Sequence, residues 1–555
     1  MTIISRSITL LLLFFTTAGS MAQRWDNYRP DNRRVALDST NLPILFIDTD
    51  GQMIDREERI TARMKIIWNG DGQVNYRDTL RHPGQNIDYD GYIGLKYRGN
   101  SSFDSSDKKP YSIKLLETPL EQGGAKRKEP LLGMGKDNDW ALLAPYSDRS
   151  MIRDVFAFTL AKPYFDYTPT ARHCELVLDN IYYGVFVLTE RVTKGKRRLN
   201  LDDPGDSGDA LTGGYQVQID RDNEPHIYLS KHHPTSEWGE ISWKYIHYQY
   251  KHPEFEEMSY QQRRYLQGRI DAMENALASA HYKDATTGYR RYLDVTSFID
   301  YQLSTEFSHN VDGYRLSTNM YKHRDSIDAH WKLALWDINL GFGNANYYDG
   351  SATDTWVYEQ NDIMAWQDDL LVPFWWERLM SDASYVDELK ARWTQYRREF
   401  YSDEHVEAVV DSLYNVLTCM GAEQRNSKAW PRWHQHLWPN EYVSTSIDDE
   451  FDYLRGWIAD RLAYMDSEWL DYAGVSERSV ADSHPAVWPQ PARAGHQLHV
   501  STPSADHLRL IATDGKVVAE ATTEGEVCRL SLAGVRPGLY VLESRSGNRK
   551  ITILP

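Results

Sequence analysis

The chain has 555 residues, 41% of them hydrophobic and 26% charged, enough for two to four domains of roughly 100–200 residues, each with a sizeable core. Its 62 Lys and Arg against 80 Asp and Glu give a formal charge of −18, which excludes a protein built to coat nucleic acid, because phosphate contacts need clustered positive charge. Three cysteines, Cys174, Cys419 and Cys528, exclude a disulfide framework, since at most one bridge forms and one thiol remains.

Arg6 precedes an apolar run from Ile8 to Phe15, and Ser20-Met21-Ala22 follows as a small-x-small cleavage site. Residues 1–22 are therefore predicted to be a secretory signal and 23–41 a polar segment, with no transmembrane span in the mature chain. The run 42–47 reads as a strand, with Pro43 at its start and the turn Asp48-Thr49-Asp50-Gly51 at its end. Further strands are expected over 60–68, 92–97 and 111–116, so the first third reads as a meandering sheet.

Ser147-Asp148-Arg149-Ser150 offers helix N-cap chemistry, and Ile152, Val155, Phe156 and Leu160 recur at helical spacing up to Pro163. Strands over 174–178 and 184–188 flank the turn residues Asp179-Asn180. From about residue 254 the pattern turns helical, with amphipathic stretches over 261–280, 295–308 and 385–400 and a strand-like pair over 316–321 and 331–336. A β-rich first part followed by a mainly helical second part is an α+β plan. Pro485, Pro489 and Pro491 mark a linker, 475–497, and 498–555 alternates short apolar runs with the turns Thr513-Asp514-Gly515 and Arg536-Pro537-Gly538, as a small all-β module does.

The chemically richest stretch is Asn310-Val311-Asp312-Gly313-Tyr314, followed by Trp336-Asp337-Ile338-Asn339-Leu340-Gly341-Phe342-Gly343-Asn344. A carboxylate beside an apolar element is costly unless it pairs, accepts hydrogen bonds or binds a metal. Asp312 and Asp337 can hold divalent cations and orient a hydroxyl, or they can simply cap turns. Arg98-Gly99-Asn100-Ser101-Ser102, followed by Lys108-Lys109, can cradle a phosphate or form a polar hairpin. Lys194, Lys196, Arg197 and Arg198 read as a solvated loop, and Trp430, Trp433 and Trp438 around His434 and His436 read as packing. Segments around His173 and Ser207 have the flavour of a serine protease, but too little chain separates them for the intervening barrel strands.

The segments YRGNSS, KKPYSIKL, NDWALLAPYSDRSMIRDVFAFTLA, CELVLDNIYYGVFVLTERV, GGYQVQID, NVDGYRLSTNMYK and WDINLGFGN, in this order, resemble the spore-coat-protein-H (CotH) family of atypical secretory kinases. The resemblance implies a two-lobed, atypical protein-kinase-like domain over 42–474, using ATP and Mg²⁺ or Mn²⁺ to phosphorylate a protein Ser or Thr. It implies that Asp312 orients the acceptor hydroxyl and that Asp337 binds metal, with Asn319 as a further metal ligand. Lys109 is then the phosphate-contacting lysine, with Lys108 and Lys114 as competitors. Arg98, Ser101 and Ser102 form the phosphate-facing loop, and Glu190 lies at the lobe hinge.

Ordinary kinases place an Asn five residues after the catalytic Asp; here that residue is Ser317. The segment 498–555, with DGKVV, LAGVRPGLYVLES and NRKITILP, resembles the all-β sorting domain of the type IX secretion system. That implies secretion machinery as a partner and a secreted or outer-surface location. A non-catalytic kinase-like surface protein is the alternative that Ser317 motivates, and a carboxylate-pair glycosidase is a third reading of Asp312, Asp337 and the tryptophans.

Overall fold

In the computed structural model, seven strands close into a barrel: Ile44–Asp48 (β1), Ile60–Ile67 (β2), Ile87–Tyr97 (β3), Tyr111–Leu116 (β4), Asp139–Leu143 (β5), Ala171–Leu178 (β6) and Ile181–Glu190 (β7). Their order is β1-β2-β3-β4-β5-β7-β6, and β1 returns to β6 in parallel, with Ile44 opposite Glu175. The structure describes residues 30, 35–364, 366–470 and, within 486–554, all but 489–491, 496, 503–505, 513–515, 524–525 and 545–546. The predicted signal 1–22, most of the polar segment 23–41 and much of the linker 475–497 lie outside the described residues.

The expected meandering sheet closes on itself. A local pattern of apolar residues and turns signals strands but not the parallel pairing of two strands far apart in sequence, and that pairing removes the sheet edges. Ile44, Ile66, Ile93, Leu95, Ile113, Leu115, Leu176, Phe186 and Leu188 fill the interior and are fully buried. Asp179 and Asn180, with φ of 47° and 63°, make the left-handed two-residue turn that suits the twist of a hairpin.

Beyond the barrel, a five-stranded sheet is built from Tyr215–Ile219 (β8), Ile227–Leu229 (β9), His247–His252 (β10), Thr318–Lys322 (β11) and Lys332–Ala334 (β12), in the order β9-β10-β8-β11-β12. Around it pack the helices Tyr260–Ala278 (α2), Val295–Ser308 (α3), Ala383–Arg397 (α4), Asp403–Thr418 (α5) and Ile447–Trp469 (α6), preceded in the chain by Arg153–Ala161 (α1). Helix α2 starts at a reciprocal capping box of Ser259 and Gln262. Helix α3 is capped by Asp294 and ends where His309 turns left-handed, φ 46°. Trp331, Trp375, Trp376 and Trp393 are fully buried here, so much of the tryptophan content is core.

The stretch leading into α1 anchors the barrel to the helices. Asp148 takes the N–H groups of Met151 and Arg153 at 3.2 and 3.0 Å, which satisfies donors that a helix start leaves orphaned. Arg153 pairs with Asp148 at 2.7 Å and with Glu450 of α6 at 2.9 Å, and Arg432 donates to the carbonyls of Pro145, Tyr146, Asp148 and Arg149.

The chain divides into two compact units, Met1–Leu470 and Asp471–Pro555. Among the described residues of the second, every regular element is a strand. The strands form one three-stranded and one five-stranded sheet, with Leu498, Val500, Leu508, Leu510, Leu530, Leu542 and Ile551 in the core. All three cysteines are free, Cys174 buried and Cys419 exposed. Among the described residues no helix is long and apolar enough to cross a membrane.

Candidate active site

A cavity of about 280 Å³ is lined from the barrel side by Arg98, Ser101 and Ser102, and from the helical side by Asp220, Asp312 and Asp337. The first wall is the turn after β3. Gly99 has φ +89°, and a Cβ there would stand 2.2 Å from the Ser102 hydroxyl, so the tight turn requires glycine. Arg56 holds the turn from outside, donating to the Gly99 carbonyl at 3.1 Å and pairing with Asp104 at 2.9 Å. Among the described residues the Arg98 guanidinium has no hydrogen bond or ion pair; it lies 5.6 Å from the Trp336 ring centre. Burial, and then repulsion from Arg191, draw its pKa down to about 10, while Asp337 opposes the shift. It remains a cation at neutral pH.

The opposite wall is made of carboxylates. Asp337 has a left-handed φ of 62°, a conformation that an ordinary residue keeps only when its surroundings over-determine it. Asn310 helps do so, donating to the Asp337 carbonyl at 3.0 Å while its own Oδ1 takes the Asp312 N–H at 3.3 Å, which ties the two acidic segments together. The Asp337 carboxylate takes Asn339 Nδ2 at 2.8 Å and Ser317 Oγ at 3.3 Å. It faces the open cavity but is walled by protein, and this enclosure, opposed by Arg98 and reinforced by Asp312 and Asp220, raises its pKa. Asp154, on the first turn of α1, takes the Ile338 N–H at 2.7 Å; burial and then Asp337 push its pKa up to about 7. Asp220 accepts from Gln218 at 2.9 Å and from the Ser317 N–H at 3.3 Å, and burial raises its pKa. Asp312 instead has a fixed partner, Arg315, at 2.7 Å, and Arg315 also holds Asp368 at 2.8 Å.

Of the residues singled out in the sequence, Arg98, Ser101, Ser102, Asp312, Asn319 and Asp337 meet at this cavity, together with Ser317. Lys109 and Glu190 do not. Lys109 Nζ donates to the Phe103 carbonyl and lies 4.5 Å from the Phe103 ring centre. Glu190 is buried and takes the N–H groups of Gly135 at 2.6 Å and Thr170 at 2.9 Å, bracing two loops. The competing Lys108 is also elsewhere, donating to the Val185 carbonyl and to Asn426 Oδ1. The cations lining the cavity are arginines, Arg98, Arg191 and Arg221. Asn319 spends its amide on the framework, taking Gln216 Nε2 at 3.0 Å and donating to the Ser317 carbonyl at 3.1 Å.

Asp220, Asp154 and Arg191 were not singled out, and Asn339 was named only within its motif. A signal existed for the first two: Asp220 ends the alternating strand GGYQVQID, and Asp154 lies inside SDRSMIRDVF. Oxygen donors alone line the acidic wall, which suits a hard cation such as Mg²⁺ or Mn²⁺. Among the described residues no three His, Cys, Asp or Glu side chains stand as a ready-made metal cage; Mg²⁺ is commonly held by one or two carboxylates together with phosphate and water. Asp220 and Asp312 repel Asp337, and Asp337 repels Asp154, a strain that a bound cation relieves, so the residues present fit such an ion.

A comparison with curated proteins found no match. The family described as CotH kinase protein matches residues 95–465, a span that carries every residue lining the cavity and takes in well over half of the 555 residues. On that match the chain belongs to the CotH kinase family.

Proposed function

We propose that this chain is an atypical kinase, secreted or attached to the outer cell surface, that moves the γ-phosphoryl group of ATP to a Ser or Thr hydroxyl of a protein. Membership of the CotH kinase family suggests atypical kinase activity and, with it, ATP and a divalent metal. The observation that carries the reading is the meeting of Arg98 from the barrel with Asp312 and Asp337 from the helical part at one cavity. On this reading the barrel is the first lobe of a kinase-like fold and the helical part the second.

Phosphoryl transfer needs positioning and charge neutralisation more than covalent chemistry. Arg98, which has no carboxylate partner among the described residues, faces the phosphate oxygens. Asp337 and Asp220 would hold Mg²⁺ or Mn²⁺, which when bound would neutralise phosphate charge; Asp220 would supply a carboxylate where Ser317 offers only a neutral hydroxyl. Asp312, oriented by Arg315, accepts the acceptor's hydroxyl proton as the hydroxyl oxygen bonds to phosphorus and the bond to the ADP oxygen breaks. The apolar run before Ser20-Met21-Ala22 and the likeness of 498–555 to a type IX sorting domain support export by secretion machinery, with that module removed afterwards.

A non-catalytic, nucleotide-free surface protein is the second reading, favoured by Ser317 and by the clamp of Arg315 on Asp312. A glycosidase is disfavoured, because Arg98 covers the Trp336 face on which a sugar would stack. The test is to incubate the purified protein with labelled ATP, Mg²⁺ or Mn²⁺ and candidate exported proteins. Transfer to Ser or Thr that disappears in Asp337→Ala supports the proposal, and transfer undiminished in that variant refutes the assigned role. Calorimetry that detects no ATP binding with either metal selects the second reading.

A further inference from the structure

Away from the cavity, the described residues carry a cluster of large aromatic side chains left to solvent. Trp238, Trp243 and Trp366 are 75%, 53% and 75% exposed, and the rings of Trp243 and Trp366 lie 5.2 Å apart at 34°. Single exposed apolar residues need no explanation, but neighbouring tryptophans held in place on a surface mark a contact site. They are held. Asn361 donates to the Thr235 carbonyl at 2.7 Å and to the Val372 carbonyl at 2.8 Å, Asp362 takes the Glu237 N–H at 2.6 Å, and Lys244 pairs with Asp369.

The charge around these rings is mainly acidic. Glu237 and Glu240 are exposed and Asp362 is half-buried, while Asp369 shares its charge with the ammonium of Lys244, so the carboxylates outnumber the cation. An aromatic face rimmed by carboxylates complements Arg and Lys side chains, which stack on indole rings and pair with the rim. The surface is also wired to the cavity. Asp369 reaches out to Lys244, beside Trp243, while its neighbour Asp368 reaches in to Arg315, which holds Asp312.

We propose that this face docks a basic, Arg- or Lys-bearing segment of the acceptor protein and so delivers the neighbouring Ser or Thr to Asp312. The acceptor role rests on the kinase reading; the docking itself does not. The test is fluorescence anisotropy of the full chain with three labelled probes: a peptide alternating Arg and Ser, its Glu and Ser counterpart, and a neutral glucose oligosaccharide. The Arg–Ser peptide is expected to bind and to weaken with added salt. Its affinity should fall about tenfold in Trp366→Ala and in Trp243→Ala, and by a smaller factor in Asp369→Asn, while circular dichroism and ATP binding stay as in the wild type. Equal affinity of the Arg–Ser peptide for wild type and both tryptophan variants overturns the proposal, as does binding of only the Glu–Ser peptide or the oligosaccharide. Tryptophan-dependent binding of the Arg–Ser peptide without any ATP binding upholds the docking face and refutes the kinase reading.

Discussion

Consecutive residues of helix α1 belong to two opposite electrostatic plans. Arg153 is buried in a closed network, paired with Asp148 at 2.7 Å and Glu450 at 2.9 Å and donating to the Phe342 carbonyl at 3.3 Å. Those carboxylates outweigh the cost of its burial and raise its pKa further. One residue on, Asp154 faces the cavity, where Asp337 repels it and burial disfavours its charge. A structural charge is matched by its neighbours; at the cavity the charges of one sign are left in excess, poised for a ligand of the other sign.

The largest effect should come from breaking the matched network. Arg153→Met leaves Asp148 and Glu450 buried with no cation, and removing one partner of a buried ion pair costs about 3–5 kcal/mol. Urea unfolding followed by tryptophan fluorescence should show a loss of this size in the transition of the unit Met1–Leu470. A loss under about 1 kcal/mol, the range of an exposed pair, would mean that the network is not the anchor between barrel and helices.

The same contrast explains what the sequence disclosed. Strands over Ile60–Ile67 and Tyr111–Leu116 and the helix Val295–Ser308 were legible because apolar periodicity is local. Asp312 and Asp337 were legible because each sits in a dense polar motif, and the family resemblance joined them. Barrel closure was not legible, since the β1–β6 pairing is set by tertiary packing. Nor was the arginine character of the cavity: Lys108 and Lys109 follow the Gly/Ser turn closely in sequence, yet their ammonium groups go to the Val185 and Phe103 carbonyls and do not line the cavity. Asp220 and Asp154 come from separate elements, and only the fold shows that each is set against Asp337.

Glu274 of α2 tests whether surplus charge outside the cavity is avoided by protonation. It is buried, takes Ser230 Oγ at 2.6 Å and Tyr248 OH at 2.7 Å, and burial raises its pKa to about 7 from 4.5. Below pH 4.5 the carboxyl is protonated in both states and contributes nothing to pH dependence. Between 4.5 and about 7 the unfolded chain ionises first, so the native state loses stability as pH rises, and the loss is complete above 7. Glu274→Gln should remove this slope, so that stability relative to wild type is greater at pH 8 than at pH 4 by up to roughly 3 kcal/mol. Parallel stability curves for the two proteins would show that the carboxyl stays ionised in the fold.

The smallest effect bears most directly on the contrast. At the cavity, neutralising a carboxylate should help the fold while harming the function. Asp337 has a raised pKa, so on the same sign argument its ionisation weakens the native state as pH climbs past the unfolded value, and Asp337→Asn removes that cost. Because the carboxylate opens onto water in the cavity, screening reduces the gain. Arg98 opposes it, which keeps the gain small. Thermal unfolding in metal-free buffer at pH 8 should show a modest rise in midpoint for Asp337→Asn, with phosphoryl transfer lost. A fall in the midpoint would instead place Asp337 with Arg153 among the matched, structural charges, with Arg98 as its partner rather than a cation held for phosphate.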